Sequence, residues 1–124
     1  MKPVKELRKG DYIIHRNEPC IVLRKENVAY STHSHTKVKI DVQGLFTNFL
    51  DTLAFMPHAN VEDVDIIRKR GQLISKAPVQ VMDLVSYATM DAEAPEEVLS
   101  ALNDGDEVTF VEHGGVVMVL EKRA

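Results

Sequence analysis

Charged and apolar residues alternate along Lys37–Val42, and this two-residue period predicts a β-strand with one buried face. Val38 and Ile40 fall on the face that packs against a core, whereas Lys37 and Lys39 fall on the face that meets solvent. A polar loop with two histidines precedes the strand. Because loops held by a rigid sheet often carry binding residues, this segment is the first candidate for a functional site.

Short strand patterns without a helical period recur in the first half of the chain. They lie at Asp11–His15, Cys20–Arg24 and Asp51–Phe55. The polar residues Arg16–Pro19 separate the first two strands as a hairpin, and residues 26–36 are expected to form a loop. Several short strands at this spacing predict a small barrel.

The second half continues with strand patterns and then changes period once. Three successive strands are predicted at Gly71–Ser75, Val79–Asp83 and Tyr87–Asp91. Pro95–Leu102 is predicted to be a short helix, because proline suits the first turn and Glu96 and Glu97 complement the helix dipole there. The apolar stripe of this helix would be Val98, Leu99 and Leu102.

A final hairpin is predicted after the helix, which Asn103–Gly105 would end. Its strands are Glu107–Val111 and Val116–Leu120, and the turn is His113–Gly115. Strands followed by one short helix and a hairpin are the order of an OB-fold, so the chain is predicted to be mostly β.

Composition is that of a globular protein outside the membrane. Of the 124 residues, 44% are hydrophobic and 27% are charged. No apolar run approaches the ~20 residues that span a bilayer, and the N-terminus lacks the apolar core of a secretory signal. The single cysteine, Cys20, permits no internal disulfide and lies in an apolar strand, so a buried, unreactive thiol in a reducing cytoplasm is expected.

Charge is distributed unevenly along the chain, whose net charge is −4. Residues 1–50 contain nine basic and five acidic side chains, a net of +4, and residues 51–124 contain six and fourteen, a net of −8. One surface can therefore meet a polyanion while the remainder keeps the protein in solution, although an acidic half that only contacts water is an equally good interpretation.

Seven short segments together resemble the translation initiation factor 5A family of archaeal type. They are Lys9–Tyr12, Glu18–Cys20, His33–Lys39, Gly44–Phe46, Met56–Pro57, Gln80–Leu84 and Pro95–Glu97. Their order and spacing carry the resemblance, which covers nearly the whole chain. It implies an SH3-like barrel with an exposed tip loop at residues 1–66, followed by the OB-fold at residues 67–124.

The tip loop departs from the family pattern at its most distinctive position. The family loop reads roughly Gly-Lys-His-Gly-His-Ala-Lys and matches residues 31–37. His33, His35 and Lys37 are retained, but Thr32 occupies the position of the lysine that the family converts to hypusine. Threonine is short and neutral and cannot carry that modification, so no modification is expected.

The resemblance implies a cytoplasmic translation factor that acts in protein biosynthesis without a cofactor or a small-molecule substrate. Its expected partners are the ribosome, ribosomal RNA and the P-site transfer RNA, toward which the tip loop would point. The oligomeric state expected is a monomer or weak dimer. The candidate RNA- and ribosome-binding residues are Arg24, Lys25, Tyr30, Ser31, Thr32, His33, Ser34, His35, Lys37 and Lys39.

Other classes of function have weaker support in the sequence. His33 and His35 lack the third and fourth ligands of a structural zinc, so no metal is expected. No nucleophile motif or glycine-rich phosphate loop is present, which argues against an enzyme. Two alternatives stay open: a diverged paralogue that acts as a protein interaction or self-assembly module, and a general RNA-binding module independent of ribosomes.

Overall fold

A computed structural model describes residues 1–29 and 36–123, and it confirms the mostly β prediction. The chain divides into two compact units, Met1–Asp65 and Ile66–Ala124. Within the described residues, no helix is sufficiently long and apolar to cross a membrane.

The first unit is built on a four-stranded antiparallel sheet. The unit contains six strands in all, which are β1 Lys2–Pro3, β2 Tyr12–His15, β3 Glu18–Ala29, β4 Thr36–Gly44, β5 Leu50–Phe55 and β6 Asn60–Val61. Strands β2 to β5 pair in chain order, β1 pairs with β6, and a 3₁₀ turn lies at Val4–Glu6. The Ile14 amide donates a hydrogen bond to the Glu62 carbonyl at 2.8 Å, so the segment after β6 covers the outer edge of β2.

Strand β4 confirms the predicted alternation. Val38, Ile40 and Val42 are buried, and Lys37 and Lys39 lie on the opposite face. Residues from the other strands and the 3₁₀ turn complete the same core, and they are Val4, Leu7, Ile13, Cys20, Val22 and Val61. Burial of these branched side chains on one face fixes the register, because a one-residue slip would expose all of them.

Two sequence predictions in this unit are wrong in extent. The turn before β3 is only Arg16 and Asn17, both with positive φ (54° and 63°). The loop expected at residues 26–36 is strand as far as Ala29, because β3 and β4 stay paired up to Ala29 and Thr36. Glu26 lies opposite Lys39 in that ladder, so charge pairing across the strands supports a segment that lacks an apolar alternation.

The second unit is a five-stranded barrel with one helix. Its strands are β7 Lys69–Lys76, β8 Val79–Asp83, β9 Thr89–Asp91, β10 Glu107–His113 and β11 Val116–Lys122, and its helix is α1 Glu96–Ser100. The sheet order is β11–β10–β7–β8–β9. Glu93 closes the barrel: its amide donates to the carbonyl of Val117, and its carbonyl accepts from the amide of Val119, both at 2.8 Å. The helix between the third and fourth strands completes an OB-fold.

Two members of the predicted helical stripe belong to the core of this unit. Leu102 is buried just beyond the shortened helix, and the partly buried Val98 packs against the same core. The predicted start of the third strand at Tyr87 is wrong. The Asp83 carboxylate accepts hydrogen bonds from the amides of Val85 and Ser86 at 2.7 and 3.2 Å, and this turn delays the strand to Thr89. Tyr87 instead lies exposed in the turn with a φ of 62°.

Candidate nucleic-acid interface

The β3–β4 hairpin extends beyond the strands that flank it. β2 pairs with β3 only as far as Ile21, and β5 pairs with β4 only as far as Val38. The last two pairs of the ladder, Val28 with Lys37 and Ala29 with Thr36, therefore belong to two strands alone. A β-bulge at Leu23, between the paired residues Val22 and Arg24, lies just beyond the last β3 residue that pairs with β2.

Three of the predicted binding cations share the outer face of the hairpin. Residues opposite one another in an antiparallel ladder point to the same side, and Lys39 lies opposite Glu26 while Arg24 precedes Glu26 by two. Lys37 is two residues before Lys39 and falls on the same face. The structure thus brings together Arg24, Lys37 and Lys39 in a set that we call the hairpin cations.

Glu26 lies among the hairpin cations, although no local pattern in the sequence singles it out. Its Oε2 atom accepts a hydrogen bond from Nη2 of Arg24 at 2.8 Å, and its Oε1 atom lies 3.8 Å from Nζ of Lys39. The Arg24 side chain nevertheless remains 67% exposed. A strand alternation combined with the cross-strand register could have found this residue, but the register is not readable from sequence alone.

Lys25 is separated from the hairpin cations because it points to the opposite face of β3. It pairs across the ladder with the buried Ile40. Its ammonium donates to the backbone carbonyl of Leu7 at 2.9 Å and also to that of Lys5. Lys25 therefore ties β3 to the carbonyl end of the 3₁₀ turn, where a cation is favoured by the local dipole.

The other predicted site residues lie outside the described part of the chain. They are Tyr30, Ser31, Thr32, His33, Ser34 and His35. Their assignment to RNA binding remains a prediction from sequence.

A second polar cluster, which sequence reasoning missed, lies at the far end of β3. Nε2 of His15 is 2.9 Å from Oδ2 of Asp51, and Nη2 of Arg16 is 3.2 Å from the same oxygen. The Arg16 guanidinium also stacks 4.7 Å above the Phe49 ring centre. Hydrogen bonding from His15 is the main reason that the pKa of Asp51 is lowered. Since partners this far apart in sequence meet only in the fold, no local signal marks them.

Other chemistry has little support in the described residues. They contain no group of three histidine, cysteine, aspartate or glutamate side chains that could hold a metal ion. Cys20 is buried as predicted, and burial, assisted by the charge of Glu18, raises the pKa of its thiol to about 11. A thiol in that state is a poor nucleophile at neutral pH.

These features define a two-module β protein, an SH3-like barrel followed by an OB-fold, with a basic hairpin on the first module. Comparison with known proteins identifies the family. The translation initiation factor 5A of Archaeoglobus fulgidus is 32% identical over 114 residues, which cover 90% of this chain and 89% of that protein. The same factor of Metallosphaera sedula is 36% identical, covering 88% of this chain and 86% of its own. The chain belongs to the translation initiation factor 5A family, and it is a translation factor of that type.

Solved structures agree with this assignment. The translation initiation factor 5A from Methanococcus jannaschii superimposes with a TM-score of 0.76 at 25% identity, covering 98% of this chain and 92% of its own. A factor of the same family from Naegleria fowleri gives a TM-score of 0.77 at 20% identity, which supports the fold alone. No protein-family model matches the chain. The resemblance inferred from seven short segments is confirmed.

Proposed function

We propose that this translation factor binds the ribosome in the cytoplasm and directs its hairpin tip toward the P-site transfer RNA. The observation that carries the proposal is the hairpin itself, which extends past its neighbouring strands and presents Arg24, Lys37 and Lys39 on one face. Membership of the 5A family supports the ribosome as the partner. The factor acts by positioning RNA and performs no bond-making chemistry of its own.

Phosphate attraction is the physical basis of this contact. Lysine and arginine side chains near a strand edge neutralise phosphates without reading bases, and they release counterions as they do so. Binding then weakens as salt rises, with a slope of roughly 0.7–0.9 per neutralised phosphate on a logarithmic scale. The hairpin cations suit this role because their ion pairs are solvent-exposed, and pairs of this kind are worth at most about 1 kcal/mol.

In this proposal the tip contacts RNA without a charged lysine at position 32. Thr32 cannot be hypusinated, so the factor works without the long amine that the family resemblance leads one to expect there. Tyr30 would stack on a base, and the residues from Ser31 to His35 would contact the RNA backbone. Intact-mass measurement of the natively produced protein should show no deoxyhypusine or hypusine, and either mass increment mapped to any lysine would contradict the proposal.

Ribosome co-sedimentation tests the role of the hairpin. The variant Lys37→Glu/Lys39→Glu should lose most of its binding, because it reverses two of the three hairpin cations. A matched control, Lys9→Glu/Lys122→Glu, makes the same change in net charge at exposed positions outside strands β3 and β4 and should bind nearly as wild type. Equal binding by both variants, or no binding by the wild-type chain, would overturn the proposed function.

Thr32 also favours a second candidate function, in which a diverged paralogue serves as a protein interaction or self-assembly module. Loss of the modifiable lysine removes a constraint that ribosomal work is expected to impose on the loop. Static light scattering over a wide concentration range separates the two functions. Under the ribosomal proposal the protein stays monomeric or forms a weak dimer, whereas growth of the scattering mass into larger assemblies would favour the alternative.

A further inference from the structure

An open cleft in the first unit, apart from the hairpin cations, is lined almost entirely by charged side chains. It has a volume of about 700 Å³ and lies between the 3₁₀ turn, the segment that follows it and β3. Its charged lining consists of Lys2, Lys5, Glu6, Arg8, Asp11 and Lys25. Four cations against two acids give the cleft a net charge of +2.

Two of the cations hold the walls of the cleft in place. Oδ2 of Asp11 accepts a hydrogen bond from the amide of Arg8 at 2.9 Å and another from Nζ of Lys2 at 3.2 Å. On the other side, the ammonium of Lys25 is fixed to the carbonyls of the turn, including that of Leu7 at 2.9 Å. The Asp11 carboxylate is therefore already compensated by groups of the protein, and these contacts also keep its pKa low.

Lys5 and Arg8 are the cations that remain available. Both side chains are exposed, and neither forms an ion pair with any residue in the part of the chain that the structure describes. Glu6, at the exposed surface of the turn, is the one acid of the lining whose side chain pairs with none of the described residues. Two unpaired cations beside a compensated carboxylate make the cleft attractive to an anion.

The lining also limits the kind of anion. Sites for small organic ligands are mostly apolar and enclose their ligand, but this cleft is open and its one apolar lining residue, Leu7, is buried. A small free anion would remain largely hydrated there. A polyanion gains more, because each phosphate that meets a cation releases counterions and successive phosphates can use several cations.

We propose that this cleft binds phosphate groups of an RNA strand and gives the factor a second RNA contact, separate from the hairpin. The inference rests on the proposed function, because it takes RNA as the partner. Arg24 and Lys25 are adjacent in β3 and point to opposite faces, so the hairpin cations and the cleft lie on opposite sides of the same strand. Two contacts on one rigid strand raise the total affinity through effective concentration.

Single-residue variants of the full chain test the cleft. Binding is followed by fluorescence anisotropy with a labelled single-stranded oligouridylate over a salt series. Lys5→Gln should lower the affinity about fivefold at about 0.1 M salt and reduce the logarithmic salt slope by about 0.7, the value for one phosphate contact. Arg8→Gln should do the same, whereas Arg8→Lys, which keeps the charge, should retain most of the affinity.

Lys9→Gln is the matched control. Lys9 is exposed and adjacent to Arg8, but it does not line the cleft, so the same chemical change should alter neither affinity nor slope. Equal losses for Lys5→Gln and Lys9→Gln would mean a general charge effect and would overturn the proposal. Circular dichroism melting confirms that each variant is folded, and the Lys5 and Arg8 variants test the cleft independently of one another.

Binding measurements with other anions show whether RNA is the ligand of the cleft. If inorganic phosphate or an oligoglutamate peptide binds with the same dependence on Lys5 and Arg8 while the oligouridylate does not, the cleft serves a free phosphate or an acidic protein segment and the RNA proposal fails. Failure here is distinguishable from failure of the proposed function. If the wild-type chain sediments with ribosomes but Lys5→Gln and Lys9→Gln bind the oligouridylate equally, only the cleft proposal fails. If the wild-type chain does not sediment with ribosomes, the ribosomal proposal fails.

Discussion

Glu26 is the residue that bears most directly on the strength of the proposed contact between the hairpin and RNA. Its carboxylate lies between Arg24 and Lys39, at 2.8 and 3.8 Å, and it partly neutralises both. An RNA phosphate that approaches either cation must compete with this carboxylate. Glu26 therefore orders the two side chains and at the same time restrains their affinity for a polyanion.

The Glu26→Gln variant should bind RNA more tightly than the wild type. Removal of the negative charge leaves Arg24 and Lys39 free to neutralise phosphates, so the affinity for a single-stranded RNA and its salt dependence should both rise. Stability should change by less than about 1 kcal/mol, because the ion pairs are exposed. Glu62→Gln makes the same change at an exposed residue of the same unit and should have no comparable effect, and equal increases in both variants would contradict the role of Glu26.

Cys20 should resist thiol reagents in the folded protein. Its side chain is fully buried, and its thiol has a pKa of about 11, so very little reactive thiolate exists at pH 8. Ellman's reagent should therefore react slowly in native buffer and completely in denaturant. Rapid stoichiometric reaction of the native chain would show that the strand around Cys20 opens readily.

At the scale of elements, Glu18 and Gly44 together fix the turn that follows β4. Glu18 is buried, and its Oε1 atom accepts a hydrogen bond from the Thr47 hydroxyl at 2.8 Å and from the Thr47 amide at 3.4 Å. A Cβ atom at Gly44 would lie 2.0 Å from that oxygen and 2.6 Å from two ring carbons of Phe49. The turn packs this closely because residue 44 has no side chain.

The Gly44→Ala variant should destabilise the protein by roughly 1–3 kcal/mol, the usual cost of overpacking a tight site. The added methyl group displaces the Glu18 carboxylate from Thr47 or shifts the Phe49 ring. Urea unfolding measures the loss, and Gly105→Ala provides a comparison at a site where a Cβ meets no atom within 4 Å and only backbone strain is expected. A Gly44→Ala midpoint equal to that of the wild type would show that the turn adapts without cost.

Most elements were predictable because their apolar periods are local. The strands β4, β8 and β10 and the final hairpin follow from alternation and turn residues, and Gly114 and Gly115 have the positive φ that their turn requires. The distal part of β3 was not predictable. Glu26–Ala29 has no apolar period, and it is a strand only because β4 pairs with it.

The candidate binding site was also predictable only where a local sequence pattern marks its residues. Strand alternation identified Lys37 and Lys39 as solvent-facing, and the structure places Arg24 with them. The position of Lys25, the role of Glu26 and the cleft around Lys5 all depend on contacts between residues far apart in sequence. Such contacts are set by tertiary packing, which leaves no local pattern to read.

At the scale of the whole molecule, the charge difference between the two structural units is smaller than that between residues 1–50 and residues 51–124. The acidic residues from Asp51 to Asp65 belong to the first unit, which therefore carries nine basic and nine acidic side chains and has no net charge. The second unit carries six basic and ten acidic side chains, a net of −4. Under the proposed function, attraction to RNA must therefore come from local clusters such as the hairpin cations and the cleft, since neither unit is basic as a whole.

Acid should destabilise the fold through carboxylates in both units. Hydrogen bonds or neighbouring cations lower the pKa of five side chains, which are Asp11, Asp51, Asp83, Asp106 and Glu107. Because the pKa of each is lower in the folded state than its ordinary value of 3.8 or 4.5, the ionised form stabilises the fold above those values. That contribution is lost as the pH falls through the folded-state pKa values.

Urea unfolding from neutral pH down to about pH 3 should show this loss, and Asp83→Asn should reduce it. Hydrogen bonds from the amides of Val85 and Ser86 are the main cause of the lowered pKa of Asp83, and asparagine keeps the acceptor without the charge. Asp104→Asn is the control, because Asp104 is exposed in the same unit and its side chain forms no hydrogen bond with the described residues. An identical pH profile for Asp83→Asn and wild type would contradict the assignment.

The unbroken strand pairing that follows the bulge at Leu23 limits how the length of the hairpin can change. Above the bulge the two strands keep an unbroken ladder, so the side toward which each residue points alternates strictly. Lengthening both strands by one residue just above the bulge would turn Lys37 and Lys39 inward and the core residues Val38 and Ile40 outward. Lengthening both by two would keep these directions and carry the pair of Ala29 and Thr36 about 7 Å further along the hairpin. The length of the hairpin at this point can therefore change only in steps of two residues per strand if the side chains are to keep their direction.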